Sequence, residues 1–273
     1  MKHALPKVLL NIAVALIGLI VLFPLAWMVS VSFMSPGEAA TFPPPLLPAR
    51  PTLEHYRDLF ANQGMGRYLW NSVALAGLAT GLCLLVTVPA GYAFAKLRFT
   101  GRDRLFQMLV GALVIPAQIG TLPLFLMLKQ VGLVNTYAGA LVPWLTSIFG
   151  LFLVRQYALS IPDEMLEAAR VDGASERQIF TRVVLPTLQP ILVTLALFVF
   201  VGSWNDFLWP LIILTDQSNY TLPVALATLS REHVQDIEMM MAGSVITVLP
   251  VLILFLALQR YYIRGMLAGS VKG

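Results

Sequence analysis

Cysteine is nearly absent from this 273-residue chain, which carries only Cys83. A lone thiol in an apolar run excludes a disulfide framework and a cysteine-ligated metal site, and it reads as a small buried hydrophobe. Histidine is almost as scarce. His3 lies in the amino-terminal tail, and His55 and His233 lie in loops between apolar runs. Without an HExxH pairing or Cys/His ligand spacing, a metal centre is not expected. No GxxxxGKS or GxxxxGKT loop is present to cradle nucleotide phosphates. No histidine is placed within the apolar runs to serve a serine or an aspartate as a base. Catalysis by this chain alone is therefore not expected, nor a metal or cofactor of its own. Charge is the third scarcity: Asp, Glu, Lys and Arg make up 12% of the residues, against about 25% in ordinary soluble domains.

What is abundant is apolar. Hydrophobic residues account for 58% of the chain, and the mean hydropathy is +0.79. So little polar surface cannot coat a globule in water, so the chain is read as an all-α membrane protein. A bilayer core takes about 20 apolar helical residues to cross. Six stretches qualify: 8–33, 69–94, 105–128, 138–157, 191–214 and 239–259. The first follows Lys2 and Lys7 and could suggest a secretory signal. It is longer than a signal's apolar core, and no small-residue cleavage site follows promptly, so it is read as a retained span.

Basic residues set the direction. With the amino terminus inside, the cytoplasmic segments collect Lys2, Lys7, Lys96, Arg98, Arg102, Arg104, Arg155, Arg170, Arg177, Arg182, Arg260, Arg264 and Lys272. The outer segments hold Arg50, Arg57, Arg67, Lys129 and Arg231. Thirteen against five places both termini in the cytoplasm by the positive-inside rule. The net charge of +4 thus reports orientation and gives no reason to expect nucleic acid. The organisation that follows is a first span with a proline-rich outer loop (1–68), a core membrane domain (69–262) with cytoplasmic helices at 162–186, and a cytoplasmic tail (263–273).

Each span contains or abuts a proline, at Pro24, Pro89, Pro116 with Pro123, Pro143, Pro210 and Pro250. Proline removes a backbone hydrogen bond, so bent helices around a cavity are expected over a straight bundle. The stretch from Gly77 to Gly81 has the GxxxG spacing of close helix packing. In the outer loop, FPPPLLPARP reads as extended and semi-rigid. The main ionisable residue within a span is Asp206, in SWNDFLWPL, beside Asn205 and Trp204. An intramembrane carboxylate points to solute contact or to structural pairing with a neighbouring helix, and the sequence leaves both open.

The wettest stretch lies between the fourth and fifth spans: SIPDEMLEAARVDGASERQIFTRVVLPTLQP. Pro162 suits the first turn of a helix, and Asp163 and Glu164 complement its positive end. Met165, Leu166, Ala168 and Ala169 form an apolar side at helical spacing. Gly173 is a left-handed terminator, and Ser175 with Gln178 forms a capping box that starts a second helix ending near Pro186. A helix this short needs tertiary packing to persist in water. Two alanines would let another surface approach its backbone closely, flanked by Met165 and Leu166 as anchors. The alternative is an amphipathic helix resting on its own bundle or on lipid.

These residues resemble the cytoplasmic signature of binding-protein-dependent ABC importer permeases: EAA, three residues, G, nine residues, I, one residue, LP. The chain has Glu167-Ala168-Ala169, Gly173, Val183 in place of isoleucine, and Leu185-Pro186. SWNDFLWPL, YTLPVALATL and the tail QRYYIRGMLAGSVKG resemble the smaller, maltose-type permease of the carbohydrate branch. The resemblance implies a six-helix type I importer permease in the inner membrane that couples to the ATPase and forms half of a sugar pathway. Met165, Leu166, Glu167, Ala168, Ala169, Asp172 and Gly173 would meet an ATP-binding subunit, which itself holds the ATP and magnesium. The tail residues Gly269, Ser270, Val271, Lys272 and Gly273 would reach the interface of the ATPase dimer. Trp204, Asn205 and Asp206 would contact the pathway or a second, distinct permease subunit. An extracytoplasmic binding protein would dock outside. The readings set against this are an importer of a polyol or glycerol phosphate on the same fold, an ion-coupled transporter using Asp206, and a passive anchor. Neither inverted repeats nor a chain of ionisable residues across the spans supports the ion-coupled reading.

Overall fold

The structure is a computed structural model and describes residues 4–232 and 236–270. Every regular element among them is helical. The long α1 (Ala4–Val31) is followed by a short α2 (Glu54–Ala61) and by α3 (Met65–Lys96). Then come α4 (Arg102–Gly111), α5 (Thr121–Gln130), α6 (Tyr137–Leu141) and α7 (Ile148–Leu159). The polar stretch forms α8 (Asp163–Val171) and α9 (Glu176–Ile179). A π-helical turn (Phe180–Val184) joins α9 to α10 (Leu185–Thr187). The remainder is α11 (Gln189–Trp204), α12 (Leu208–Ile213), α13 (Leu222–Glu232) and α14 (Ile237–Ser270).

Leu10–Val31, Met65–Lys96 and Ile237–Gln259 are unbroken and long enough to cross a bilayer. Three bent pairs supply the other spans: Arg102–Val114 with Ala117–Gln130 at 95°, Tyr137–Trp144 with Ile148–Leu159 at 46°, and Glu176–Thr187 with Gln189–Trp204 at 77°. Counting each pair once gives the six spans expected, but three of the expected runs are not continuous helices. The third breaks at Ile115, whose φ of −81° and ψ of 120° are extended. Pro116 follows it, and a proline ring forces the preceding residue out of the helical region. The fourth breaks before Ser147, whose hydroxyl accepts from the Gly150 amide and starts α7. The fifth stops at Trp204 and resumes as α12, so the expected run 191–214 is two helices. Pro24, Pro89 and Pro250, by contrast, sit inside continuous helices.

The chain forms two compact units, Met1–Leu69 with Leu222–Leu252 and Trp70–Thr221 with Ile253–Gly273. In the first, the proline-rich loop is held by carboxylates. Glu238 is buried and accepts from the Ala39 amide at 2.7 Å. Glu38 accepts from Ala49 at 2.7 Å and from Ser35 at 3.0 Å. Those two amides hold its carboxyl below the usual carboxylate range. Val31, Met34 and Ala39 pack with Trp27, Ile237 and Met241 beneath it.

In the second unit, one apolar core joins α3, α7, α8, α9 and α11 through residues including Tyr92, Val154, Leu166, Ile179 and Leu195. A second core gathers Leu75, Ala79, Leu128, Leu141, Trp209 and Ile213. The close backbone approach is not at the GxxxG pair. A Cβ on Gly77 or Gly81 would meet nothing within 4 Å. A Cβ on Gly91 would stand 2.6 Å from Val154 Cγ1 and 3.3 Å from the Arg155 amide nitrogen. Arg155 Nε also donates to the Phe94 carbonyl at 3.2 Å, so α3 and α7 are locked side by side. Gly91→Ala is therefore expected to destabilise the protein by about 1–3 kcal/mol through overpacking, read as a lower melting temperature in detergent. Gly77→Ala should leave that temperature unchanged. Equal effects would contradict the assignment of the contact to Gly91.

Candidate functional site

The polar helix pair is built almost wholly from local signals. Pro162 precedes α8 in extended geometry (φ −60°, ψ 134°), and Asp163 and Glu164 occupy the first turn. At the other end Gly173 takes a φ of +81°. Its amide reaches the Arg170 carbonyl at 3.0 Å, and the Ala174 amide reaches that of Ala169 at 3.0 Å. This is the paired bonding of a Schellman stop, which needs a residue that tolerates positive φ. The capping box is present as expected: Gln178 Oε1 accepts from the Ser175 amide at 2.8 Å, and Ser175 Oγ accepts from the Gln178 amide. Pro186 has no amide to offer the Arg182 carbonyl, and the turn before it widens into a π-helix.

Packing divides α8 into two faces. Leu166, expected among the partner-facing residues, is only 2% exposed and belongs to the protein's own core. It anchors α8 to its own bundle, packing in one core with Tyr92, Val154 and Ile179. Ala169 is half-buried beside it. Met165, Glu167, Ala168, Asp172 and Gly173 face outward. Val171, which sequence reasoning passed over, is 87% exposed. Its signal was available: residues 165, 168 and 171 recur at the spacing of one helix face. An exposed methionine, an exposed valine and a small residue between them form an apolar strip flanked by acids.

Ion pairs fasten this loop. Lys96 Nζ donates to Asp163 Oδ1 at 2.6 Å and to the Ile161 carbonyl at 2.6 Å. The Lys96 hydrogen bond and charge hold the Asp163 carboxyl below its ordinary value. A depressed carboxylate keeps its partner through neutral pH and loses it only as acid passes below the ordinary range. Arg170 Nε donates to Glu176 Oε1 at 2.7 Å across the glycine turn. Beneath these pairs is a polar cavity of about 590 Å³ lined by residues such as Lys96, Arg98, Asp163, Glu167, Arg170 and Glu176.

A second cavity of about 520 Å³ lies within the spans, lined by residues including Gln118, Thr121, Trp144, Gly202, Asp206 and Trp209. Asp206 Oδ2 accepts from the Trp144 indole at 3.3 Å, and Oδ1 from the Trp209 amide at 3.4 Å. Of the three residues named from sequence, only Asp206 opens onto this space. Trp204 is 1% exposed and stacks with Phe200. Asn205 lies outside, its amide donating to the Val201 carbonyl at 3.0 Å. Gln118, Thr121 and Trp144 were not anticipated, since only the bends bring them to Asp206. Gly269 and Ser270 end α14, while Val271, Lys272 and Gly273 lie outside the described residues. Among the described residues, no group of three His, Cys, Asp or Glu side chains comes together to hold a metal.

Residues 87–267 match the family described as binding-protein-dependent transport system inner membrane component. The chain is 38% identical to the arabinooligosaccharides transport system permease protein AraQ of Halalkalibacterium halodurans, over 97% of this chain and 96% of that protein. It is 32% identical to the lactose transport system permease protein LacG of Rhizobium radiobacter, over 100% of this chain and 98% of that one. Its fold is similar to a chain in the crystal structure of a bacterial ABC transporter involved in the import of the acidic polysaccharide alginate. There the TM-score is 0.84 at 24% identity, covering 96% of this chain and 98% of the other. The helix pair, the broken spans and these likenesses agree: the chain belongs to the family of binding-protein-dependent transport system inner membrane components, the non-catalytic membrane subunits of ABC importers.

Proposed function

We propose that this chain is one permease half of an ATP-driven sugar importer, docked through the outward face of α8 onto an ATP-hydrolysing partner. The observation that carries the reading is the division of α8 into two faces. Leu166 fixes the helix to the bundle, while Met165, Glu167, Ala168 and Val171 are left exposed among the described residues. An exposed apolar strip with small residues at its centre suits a close-fitting cleft in another protein. ATP and magnesium belong to that partner. The sugar class is supported by the names of the relatives, whose systems transport arabinooligosaccharides and lactose.

A second, distinct permease subunit completes the pathway in this reading, and an extracytoplasmic binding protein delivers the solute. Asp206, with Gln118, Thr121 and Trp144 around one cavity, offers acceptors, donors and an indole face. That mixture suits a polyhydroxylated solute. The tail residues 269–273 are a second expected contact with the ATPase dimer in this reading.

Glu167→Lys and Val171→Asp should each leave the chain inserted but lower the ATP-binding subunits recovered with it by roughly tenfold, as expected for a charge placed in a desolvated contact. Full recovery with both variants would remove α8 from the contact. Leu166→Ala should instead destabilise the protein by about 2–5 kcal/mol, measured as thermal unfolding of the purified chain without any partner. The solute class is tested by calorimetric titration of the cognate binding protein with oligosaccharides, polyols and glycerol phosphate. Oligosaccharide binding is expected, and binding of polyols or glycerol phosphate alone would overturn the sugar assignment.

A further inference from the structure

The two ends of α8 are both tied to a single transmembrane helix, by residues one turn apart on one face of it. At the entry, the Lys96 ammonium bridges the Ile161 carbonyl and the Asp163 carboxylate, both at 2.6 Å. At the exit, Glu176 pairs with Arg170 at 2.7 Å and its other oxygen lies 3.5 Å from the Tyr92 hydroxyl. Tyr92 and Lys96 are four residues apart on α3, and residues at that spacing lie one above the other. Between them, Leu166 packs into the same core as Tyr92 and Ala95.

The placement of Lys96 is informative because it runs against the local field. A cation beside a helix amino terminus is disfavoured by the helix dipole. Here the amino terminus is that of α8, the side chain of Lys96 is 6% exposed, and Asp163 supplies the compensating charge. A lysine stem buried in this way has given up its freedom to hold one geometry. The other side of α3 is equally constrained. Gly91 lies against Val154, and Arg155 donates to the Phe94 carbonyl, so the last turns of α3 are fixed to α7.

We infer that Lys96 is a positioning residue that makes the end of α3 the element through which displacement of α8 enters the membrane bundle. This rests on the proposed docking of α8 and adds the route by which that docking is transmitted. Coupling needs a contact that both sites bias, and the Lys96 bridge is a short, charged contact from the entry of α8 to the end of a transmembrane span. Leu166 supplies packing, which tolerates sliding, whereas a charged bridge to two oxygens fixes direction.

The test uses the whole transporter in lipid nanodiscs, with its binding protein present. Hydrogen exchange is measured before and after addition of AMPPNP and magnesium. In the wild type, the nucleotide should change exchange in residues 165–170 and 93–97 together. Lys96→Met should keep the change in 165–170 but shrink that in 93–97 by about threefold or more, as expected if a two-state element is disconnected. Lys96→Arg should restore it. Asp163→Asn, at an exposed position, should behave like Lys96→Met and decides the matter if Lys96→Met fails to assemble. An undiminished response of 93–97 in Asp163→Asn or in an assembled Lys96→Met overturns the inference. A wild-type complex in which 165–170 does not respond to nucleotide contradicts the docking of α8 itself, which is a separate failure.

Discussion

A backbone amide or carbonyl left bare in hydrocarbon costs several kcal/mol, and a membrane chain may interrupt a helix only where something else meets those groups. Most of this architecture follows from how the interruptions are satisfied. Where the fourth span breaks, the Ser147 amide donates to Thr87 Oγ1 at 3.2 Å and the Ser147 hydroxyl caps α7. Where the fifth stops, Asp206 accepts from the amide of Trp209, and the Trp209 indole donates to the Gly139 carbonyl at 3.2 Å. At the far end of α12, Asn135 accepts from the amides of Thr215 and Asp216 at 3.1 and 3.0 Å. The polar residues that stand out in an apolar sequence are the ones that make the breaks tolerable. The breaks in turn create the cavity around Asp206. Its carboxylate therefore has a structural role, holding the Trp144 indole and the Trp209 amide.

The same economy governs the cytoplasmic side. A nine-residue helix would not persist in water, and α8 persists because Leu166 is inserted into the bundle and Lys96 holds its first turn. Fixing one face leaves the opposite face exposed, with Met165, Ala168 and Val171 presented together. A surface held rigidly before its partner arrives loses little entropy on binding. Rigidity also suits transmission, since a loosely held helix would absorb a displacement that a fixed one passes on.

What could be read from the sequence depended on the range of the forces involved. The Schellman stop at Gly173 and the capping box at Ser175 and Gln178 are set within six residues of chain, and both formed where expected. The number of spans followed from hydropathy. The facing of Leu166 did not, because four neighbouring apolar or small residues leave the inward direction to tertiary packing. The break at Ile115 was foreshadowed by Pro116, yet Pro24, Pro89 and Pro250 stay within continuous helices. Proline marks where a bend is affordable, and surrounding packing decides which bends occur. The gathering of Gln118, Thr121 and Trp144 around Asp206 depends on bends between distant segments, and no local pattern encodes it. Lys96 looked like one more positive-inside charge, and only its bond lengths and burial give it a position in the mechanism.

The central claim is that α8 meets the ATP-binding partner with one particular face. Site-specific photocrosslinking measures this directly, with benzoylphenylalanine placed singly at positions 166, 168 and 171 of the assembled transporter in its membrane. Crosslinks to the ATP-binding subunit at 168 and 171, and crosslinks only within the chain at 166, are the predicted result. Equal crosslinking to that subunit from 166, or none from 168 and 171, would contradict the account.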